Sequence, residues 1–319
     1  MNIGRVLDNI RTELRDRQTK IEDTFKFIRD IKGDKKCGDH AILQNPNTGE
    51  LILRISRKTD DREQAKTLFH RYNSRMQASC PAILRCIDFS MKHENAWCSN
   101  FFYFNVYFEY PFHDLESEMK RKLQDRVRFT HEELTEIFYQ ALDGLCFFQN
   151  EMNGHGKLQA FSIFFDENNR MFKVSEYFLG MPRGDYFKFL YLEKGGIKIF
   201  APELVEFLQR RSVVIDDSKL DMFHLGLILL ALGLCNDLSC LYDRTKFGMN
   251  LEELKKLILS FKDIYEAQNP LLVSIVEGLL VVDPSKRALP IETRKMIPSY
   301  YSFIQVISKN LVQSENEFH

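Results

Sequence analysis

Residues 155–162 read HGKLQAFS and lie between two segments with helical patterns. Upstream, Thr130-His131-Glu132-Glu133 has the spacing of a capping box and predicts the start of a helix with one apolar face. Downstream, residues 223–234 are apolar nearly all round, which is typical of a central, buried helix. The pattern therefore predicts a polar loop between two core helices.

The N-terminal third of the chain has a different pattern. Residues 45–49 read NPNTG, a dense turn signal between the apolar runs 41–43 and 51–53, and this predicts a β-hairpin. Composition predicts a helix over about 61–76 and further strands at 82–84 and 101–110. A strand-rich region up to about residue 110 is therefore expected to precede a larger helical region.

Helix caps are predicted at two more positions, Asn250 and Asn269-Pro270. Ahead of the main fold, residues 1–20 carry apolar side chains at helical spacing and predict an amphipathic helix. Two roles for that helix remain open, which are packing against the domain that follows and binding a partner. Its apolar residues are Ile3, Val6, Leu7, Ile10 and Leu14.

Charge and composition exclude several classes of protein. The 44 basic and 45 acidic residues give a net charge of -1, whereas binding to nucleic acid needs a basic surplus. The seven cysteines include no CxxC pair, so free thiols in a reducing compartment are expected rather than a metal site. The apolar run Leu225–Cys235 is shorter than the roughly 20 residues that span a bilayer. We expect an intracellular protein, cytoplasmic or cytoskeletal, without a membrane span or a nucleic-acid partner.

Motifs in the second half share one order and spacing. Together they resemble a eukaryotic protein kinase domain, over about Phe25 to Phe303. After HGKLQAFS come KVSEYFL at 173–179, Ala201-Pro202-Glu203, DMFHLG at 221–226 and DPSKR at 283–287.

The resemblance implies an α+β, bilobal protein kinase-like fold with a small β-rich N-lobe and a larger α-helical C-lobe. The N-lobe would cover residues 21–110 and the C-lobe residues 111–303. The helix at 1–20 would be an N-terminal extension, and 304–319 would be a C-terminal tail.

Positions with structural roles in that family are filled. The resemblance implies that Glu203 and Arg287 form a buried ion pair, of the kind whose disruption costs about 3–5 kcal/mol. It implies that Asp221 anchors the loop containing His155, a packing residue, and that Tyr177 completes a hydrophobic spine.

Positions with catalytic roles are changed. Where the family reads HRDLKPEN, this chain has Lys157 in place of the proton-accepting acid and Ser162 in place of a metal-binding asparagine. Glu176 and Phe178 replace the Asp and the Gly of the Asp-Phe-Gly motif. Glu176 keeps a carboxylate, so residual metal binding remains open.

The implied nucleotide cleft is also degenerate. Gly33 and Gly38 keep the spacing of a glycine loop, but Lys35 replaces its central glycine, which lets the backbone approach phosphates closely. Alternation along the strand predicts Arg54 on the cleft face in place of the family's lysine. Residues 70–74 contain no acid to pair with it, and the hinge of the cleft would be Phe108-Glu109-Tyr110.

These substitutions predict a pseudokinase, a kinase fold without ordinary phosphotransfer that acts as a scaffold or an allosteric partner of another protein. We expect no cofactor, although binding of ATP and Mg²⁺ remains open. One alternative is an unorthodox ATP-dependent kinase or transferase that uses Glu176 and Arg54. Another is a structural subunit of a large cytoskeletal or organellar assembly.

Overall fold

The computed structural model describes residues 20–31, 39–96, 99–111, 113–167, 169–176, 187, 190–191, 199–210, 213–243 and 248–297. These residues form a mixed α+β structure with a five-stranded antiparallel sheet. Contacts divide them into two units. The first unit comprises the described residues up to Leu115 together with those from Phe161 to Glu193, and the second comprises Glu116–Ala160 and those from Lys194 onward.

The first unit is built on a sheet with the strand order β1-β2-β3-β5-β4, in which every neighbouring pair is antiparallel. Helix α1 (Arg62–Gln77) connects β3 to β4. A second, three-stranded sheet has the order β6-β7-β8. The strands are β1 (Lys26–Ile31), β2 (Asp39–Gln44), β3 (Leu51–Thr59), β4 (Cys86–Ala96), β5 (Ser99–Glu109), β6 (His113–Asp114), β7 (Ile163–Asp166) and β8 (Met171–Val174).

Local chemistry accounts for these elements. The turn between β2 and β3 ends at Gly49, whose φ of +76° lies in the left-handed region that favours glycine. Asp61 caps α1 by accepting hydrogen bonds from the backbone N–H groups of Glu63 and Gln64. The buried side chains of α1 pack against one face of the sheet, with Leu53 and Phe108 among their neighbours.

The second unit is helical. Its elements are α2 (Leu115–Asp125, which begins at the boundary between the units), α3 (His131–Met152), α4 (Pro202–Arg210), α5 (Asp217–Leu234), β9 (Tyr242–Asp243), β10 (Gly248–Met249), α6 (Leu251–Tyr265), α7 (Pro270–Leu279) and α8 (Pro290–Met296). Helix α5 is buried along nearly its whole length. A Cβ at Gly233 would lie 2.4 Å from the Phe261 ring, so this glycine permits the close approach of α6 to α5.

Most of the predicted elements are confirmed. The hairpin of β2 and β3, the helix over 61–76 and the strand over 101–110 are present, with bounds shifted by a few residues. Thr130 and Glu133 form the predicted capping box, and Asn250 and Asn269 cap α6 and α7. Among the described residues, no helix is both long and apolar enough to cross a bilayer.

Other predictions differ from the structure. Residues 82–84 do not form a strand, because only Ile83 makes a bridge, which is to Val174. Strand β4 was not predicted, since its polar side chains obscure the alternation. The described residues between Phe161 and Glu193 group with the strand-rich first unit. The predicted helix before Lys20 and the tail at 304–319 lie outside the described residues.

Candidate functional site

The loop after α3 is held in the second unit by one buried carboxylate. Asp221, on α5, accepts hydrogen bonds from the backbone N–H of His155 at 2.7 Å and of Gly156 at 2.8 Å. The His155 ring packs edge-on against Phe148, with centroids 5.0 Å apart. Asp221 therefore anchors the backbone of this loop to α5, and His155 packs against α3.

Gly156 adopts a backbone conformation that favours glycine. Its φ is +72°, and a Cβ at this position would lie 2.6 Å from the Oδ1 atom of Asp217. Any larger residue would therefore be strained and would clash with the first turn of α5. The loop has a fixed backbone that excludes a side chain at this point.

Gln159 is a residue whose role the sequence did not indicate. Its side chain is fully buried, and its Nε2 donates to the Ile199 carbonyl at 2.9 Å. Its Oε1 accepts from the Ile199 N–H at 3.2 Å. The Gln159 amide therefore satisfies both backbone groups of a residue close to Ala201.

Glu203 and Arg287 form a buried ion pair in the second unit. The Nη1 atom of Arg287 lies 2.7 Å from Oε1 of Glu203, and neither side chain is exposed to a significant extent. Arg287 also donates to the carbonyls of Val281 and Lys219, and its guanidinium lies over the Phe223 ring. This pair connects α4 to the segment before α8, as the resemblance implies.

His224 lies in the same core. Its Nε2 accepts a hydrogen bond from the Ala201 N–H at 3.2 Å. Burial, and then the positive charge of Arg287, lower the pKa of His224 to about 3. The imidazole is therefore neutral at physiological pH and acts as a packing residue with a hydrogen-bond acceptor.

Glu176 belongs to the first unit and is bound by two arginines. Arg71 contacts Oε1 through Nε and Nη2, and the Nε of Arg75 donates to Oε2 at 2.5 Å. Arg75 also donates to the Leu84 carbonyl at 2.8 Å. The side chains of Glu176 and Arg75 are 3% and 1% exposed, whereas that of Arg71 is 33% exposed. We call these three residues the Glu176 cluster.

Helix α1 positions both arginines. Arg71 and Arg75 are four residues apart, so they lie on one face of the helix, next to the buried Tyr72. Burial, and then the nearby Glu176 carboxylate, raise the pKa of Tyr72 and keep its phenol neutral. The sequence had indicated only that this stretch lacks an acid. The signal that was missed is the pair of arginines at i and i+4 on a helix that carries an apolar stripe.

Arg54 does not lie where the sequence placed it. The regular register of β3 puts Leu53 and Ile55 on the face that packs against α1. Arg54 lies on the opposite face, which it shares with Ile52 and Tyr107. Arg54 therefore faces away from α1, and alternation could not show this because it gives two faces without saying which one the helix covers. The side chains that face α1 at this point are aliphatic.

Glu109, the predicted hinge acid, takes part in a separate cluster of charges. Its Oε1 accepts from the Lys173 ammonium at 2.8 Å and from the Arg85 N–H at 2.9 Å. Lys173 also lies 2.6 Å from Asp166, which is bonded to Asn169. Burial raises the pKa of Asp166, but hydrogen bonds from Lys173 and Asn169 outweigh it and lower the value to about 2. The side chain of Glu109 is therefore part of a polar network within the first unit.

The remaining predicted site residues fall into two groups. Ser162 is fully buried, and its carbonyl accepts from the Ser175 N–H at 2.8 Å, while Lys157 is half-buried. Gly33, Lys35, Gly38, Tyr177 and Phe178 lie outside the described residues. Within the described ranges, no group of three or more His, Cys, Asp or Glu residues is arranged to hold a metal ion.

Comparison with known proteins adds no family to this picture. No protein-family model matches the chain, and no curated protein sequence matches it. The likeness to protein kinases therefore rests on the motifs of the sequence.

Proposed function

We propose that this chain is a protein kinase-like domain that does not transfer phosphate and that acts as a scaffold or allosteric binding partner of another protein. The observation that carries the proposal is the pairing of Glu176, whose two carboxylate oxygens are bound by Arg71 and Arg75. In the kinase resemblance, Glu176 stands at the position of the acid that binds Mg²⁺. The proposal includes no ATP or metal cofactor.

Electrostatics supports this reading of the Glu176 cluster. Mg²⁺ requires oxygen ligands in near-octahedral geometry and is usually bound through one or two carboxylates. Both oxygens of the Glu176 carboxylate are bound by guanidinium groups, so a divalent cation would have to displace these contacts in order to bind. Displacement would separate Arg75, whose side chain is 1% exposed, from its carboxylate partner, which is costly.

Other positions support the same conclusion. Lys157 replaces the acid that accepts the substrate's proton, and loss of general base catalysis forfeits about 10²–10⁴ in rate. The amide of Gln159 is fully engaged with Ile199. An active kinase uses the corresponding loop to hold metal and substrate, whereas here its polar side chains hold the loop itself.

The transferase alternative depends on Glu176 for metal and Arg54 for phosphate. Glu176 is paired with two arginines, and Arg54 lies on the face of β3 opposite α1. The two side chains therefore do not supply the phosphate and metal contacts that this alternative requires. We do not adopt it.

A phosphotransfer assay tests the proposal. The purified chain, given radiolabelled ATP and Mg²⁺, is expected to label neither itself nor a general protein substrate. Lys157→Asp restores an acid at the base position, and we expect no gain of activity because Glu176 is still bound by two arginines. Turnover by the unmodified chain that Glu176→Gln abolishes would refute the proposal.

Nucleotide binding is tested separately by thermal denaturation with and without Mg-ATP. A ligand that binds only the native state stabilises it by about 2.7 kcal/mol at a hundredfold excess over Kd. We expect no shift of the unfolding midpoint. A shift that Glu176→Gln removes would mean that this carboxylate binds the metal.

The partner-binding part of the proposal has its own test. In a native extract, the chain should sediment as a complex larger than its own 37.7 kDa, and the purified chain alone should not. Sedimentation as a monomer in the extract would contradict a scaffold role without bearing on catalysis.

A further inference from the structure

The first unit contains a cavity of about 440 Å³ that the proposed function does not use. It lies between the turn that joins β2 to β3, the end of β5 and the hairpin of β7 and β8. Its volume is near the lower end of the roughly 300–1,000 Å³ of small-molecule pockets. The size therefore suits a single side chain or a small organic ion.

The charge of the cavity is negative. Its lining includes three carboxylates and two cationic groups, which gives a net charge of -1. The carboxylates belong to Glu50, Glu109 and Asp166, and the cationic groups to Arg85 and Lys173.

The two cations do not make the cavity attractive to anions. The Lys173 ammonium is held between Glu109 and Asp166, and its side chain is only 9% exposed. The Arg85 side chain is 64% exposed, and its Nε lies 3.8 Å from Oε2 of Glu109. Glu50 is exposed at the turn, and within the part of the chain described its carboxylate makes no hydrogen bond or ion pair. A cation that enters the cavity can therefore pair with the Glu50 carboxylate without displacing another group.

The apolar part of the lining suits the stem of such a cation. Tyr110 and Phe165 contribute aromatic rings, and Leu51 and Leu84 contribute aliphatic surface. Aromatic faces attract cations, and an alkyl chain gains free energy by leaving water.

We propose that this cavity binds an alkyl-guanidinium or alkyl-ammonium group, with the cation near Glu50 and its alkyl stem against the aromatic rings. Two sources carry this chemistry, which are an Arg or Lys side chain of a partner protein and a free small amine. Only binding of a partner's side chain depends on the proposed partner-binding function. The preference of the cavity for a cation does not depend on that function.

The test is an NMR titration of the full chain, observed at the backbone amides of Glu50, Glu109 and Asn169. The probes are N-acetyl-arginine methylamide, which represents a side chain within a protein, and agmatine, which represents a free amine. We expect saturable shifts with dissociation constants on the order of 1 mM. Tighter binding of the first probe would assign the site to a partner's side chain, and tighter binding of agmatine to a free amine.

Neutral and anionic probes provide the controls. N-acetyl-citrulline methylamide has nearly the shape of the arginine probe without its charge, and N-acetyl-aspartate methylamide reverses the charge. Neither should shift these amides. Equal binding of the citrulline and arginine probes, or no binding of any cation up to about 10 mM, would overturn the proposal.

Two variants locate the cation. Glu50→Gln changes an exposed turn residue that the fold does not need, and it should weaken binding about two- to fivefold, as for an exposed ion pair. Glu63→Gln makes the same change of charge on α1, away from the cavity, and should leave binding unaltered. Equal effects of Glu50→Gln and Glu63→Gln would also overturn the proposal, because they would indicate attraction to net charge only.

Discussion

Each of the two units contains a buried cluster of arginine and glutamate, and the two clusters differ in their balance of charge. In the second unit, Glu203 is paired with one arginine, Arg287. The other N–H groups of Arg287 donate hydrogen bonds to the carbonyls of Val281 and Lys219. In the first unit, Glu176 is shared by two arginines. The charges of the named side chains sum to zero in the second unit's pair and to +1 in the Glu176 cluster.

The two clusters are suited to different roles. A neutral, fully bonded pair fixes the positions of two segments and offers nothing to a ligand. The Glu176 cluster also fixes two segments, α1 and the residues just after β8. Both oxygens of its carboxylate are bound by arginines, so Mg²⁺ would have to displace them in order to bind. The proposed kinase resemblance assigns a metal-binding acid to this position.

The largest expected effect follows from removing the guanidinium of Arg287. Arg287→Met leaves Glu203 buried without a counter-ion, and the free energy of unfolding should fall by about 3–5 kcal/mol. Urea denaturation measures this change. Arg294→Met, which breaks an exposed pair with Asp143, is the matched control and should cost less than about 1 kcal/mol. Similar losses for the two variants would mean that Arg287 contributes no more than a surface ion pair.

A smaller effect is expected for Arg75, although this side chain is buried as deeply as Arg287. Arg75→Met leaves Glu176 bound to Arg71, so the loss should be about 1.5–3 kcal/mol, the value of hydrogen bonds to a charged group. Native-state hydrogen exchange of β3 and β5 would measure it within the first unit. Lys66→Met, on the exposed face of α1, is the control. A loss as large as that of Arg287→Met would show that Arg71 does not compensate.

The two clusters were not equally predictable from the sequence. Glu203 and Arg287 lie in short motifs whose order identifies both members of the pair. Arg71 and Arg75 lie on a helix whose pattern gives its buried face but not the residue, about a hundred positions later, that the face meets. The same limit misplaced Arg54, since the sheet's two faces are equivalent in an alternating pattern.

The helices and strands were easier to predict from the sequence than the two clusters, because the signals for them are local. The turn at 45–49 and the caps at Thr130, Asn250 and Asn269 depend on neighbouring residues alone, and each is present. The sequence could not predict that the described residues between Phe161 and Glu193 group with the first unit. That grouping depends on long-range pairing, such as the bridge between Ile83 and Val174.

The two units should also differ in how their stability responds to acid. In the second unit, the pKa of His224 is about 3, below its unfolded value near 6.5, so the unfolded state gains a proton first as the pH falls. Between about pH 6 and 3, the free energy of unfolding should therefore fall by up to about 1.4 kcal/mol per pH unit.

Asp166 provides the contrast in the first unit. Its folded pKa of about 2 is lower than its ordinary value of 3.8, so its contribution to stability is complete above pH 4 and is lost only as the pH falls towards 2. Native-state hydrogen exchange measures this difference. Between pH 6 and pH 4.5, the backbone amides of α5 should lose protection, whereas those of β8 should not. His224→Gln should reduce the acid sensitivity of α5. An unchanged pH dependence in that variant would mean that another group controls it.

The smallest expected effect is that of Arg71→Gln in the otherwise unmodified chain. Arg71 is 33% exposed and Glu176 keeps Arg75, so the loss should be less than about 1 kcal/mol. In the background of Arg75→Met, the same substitution should cost more, because Glu176, which is only 3% exposed, then loses its contacts with both arginines. A double-mutant cycle measures this coupling as the difference between the two losses. Strict additivity would mean that the two arginines act on Glu176 independently, and the Glu176 cluster would then be two separate ion pairs rather than one unit.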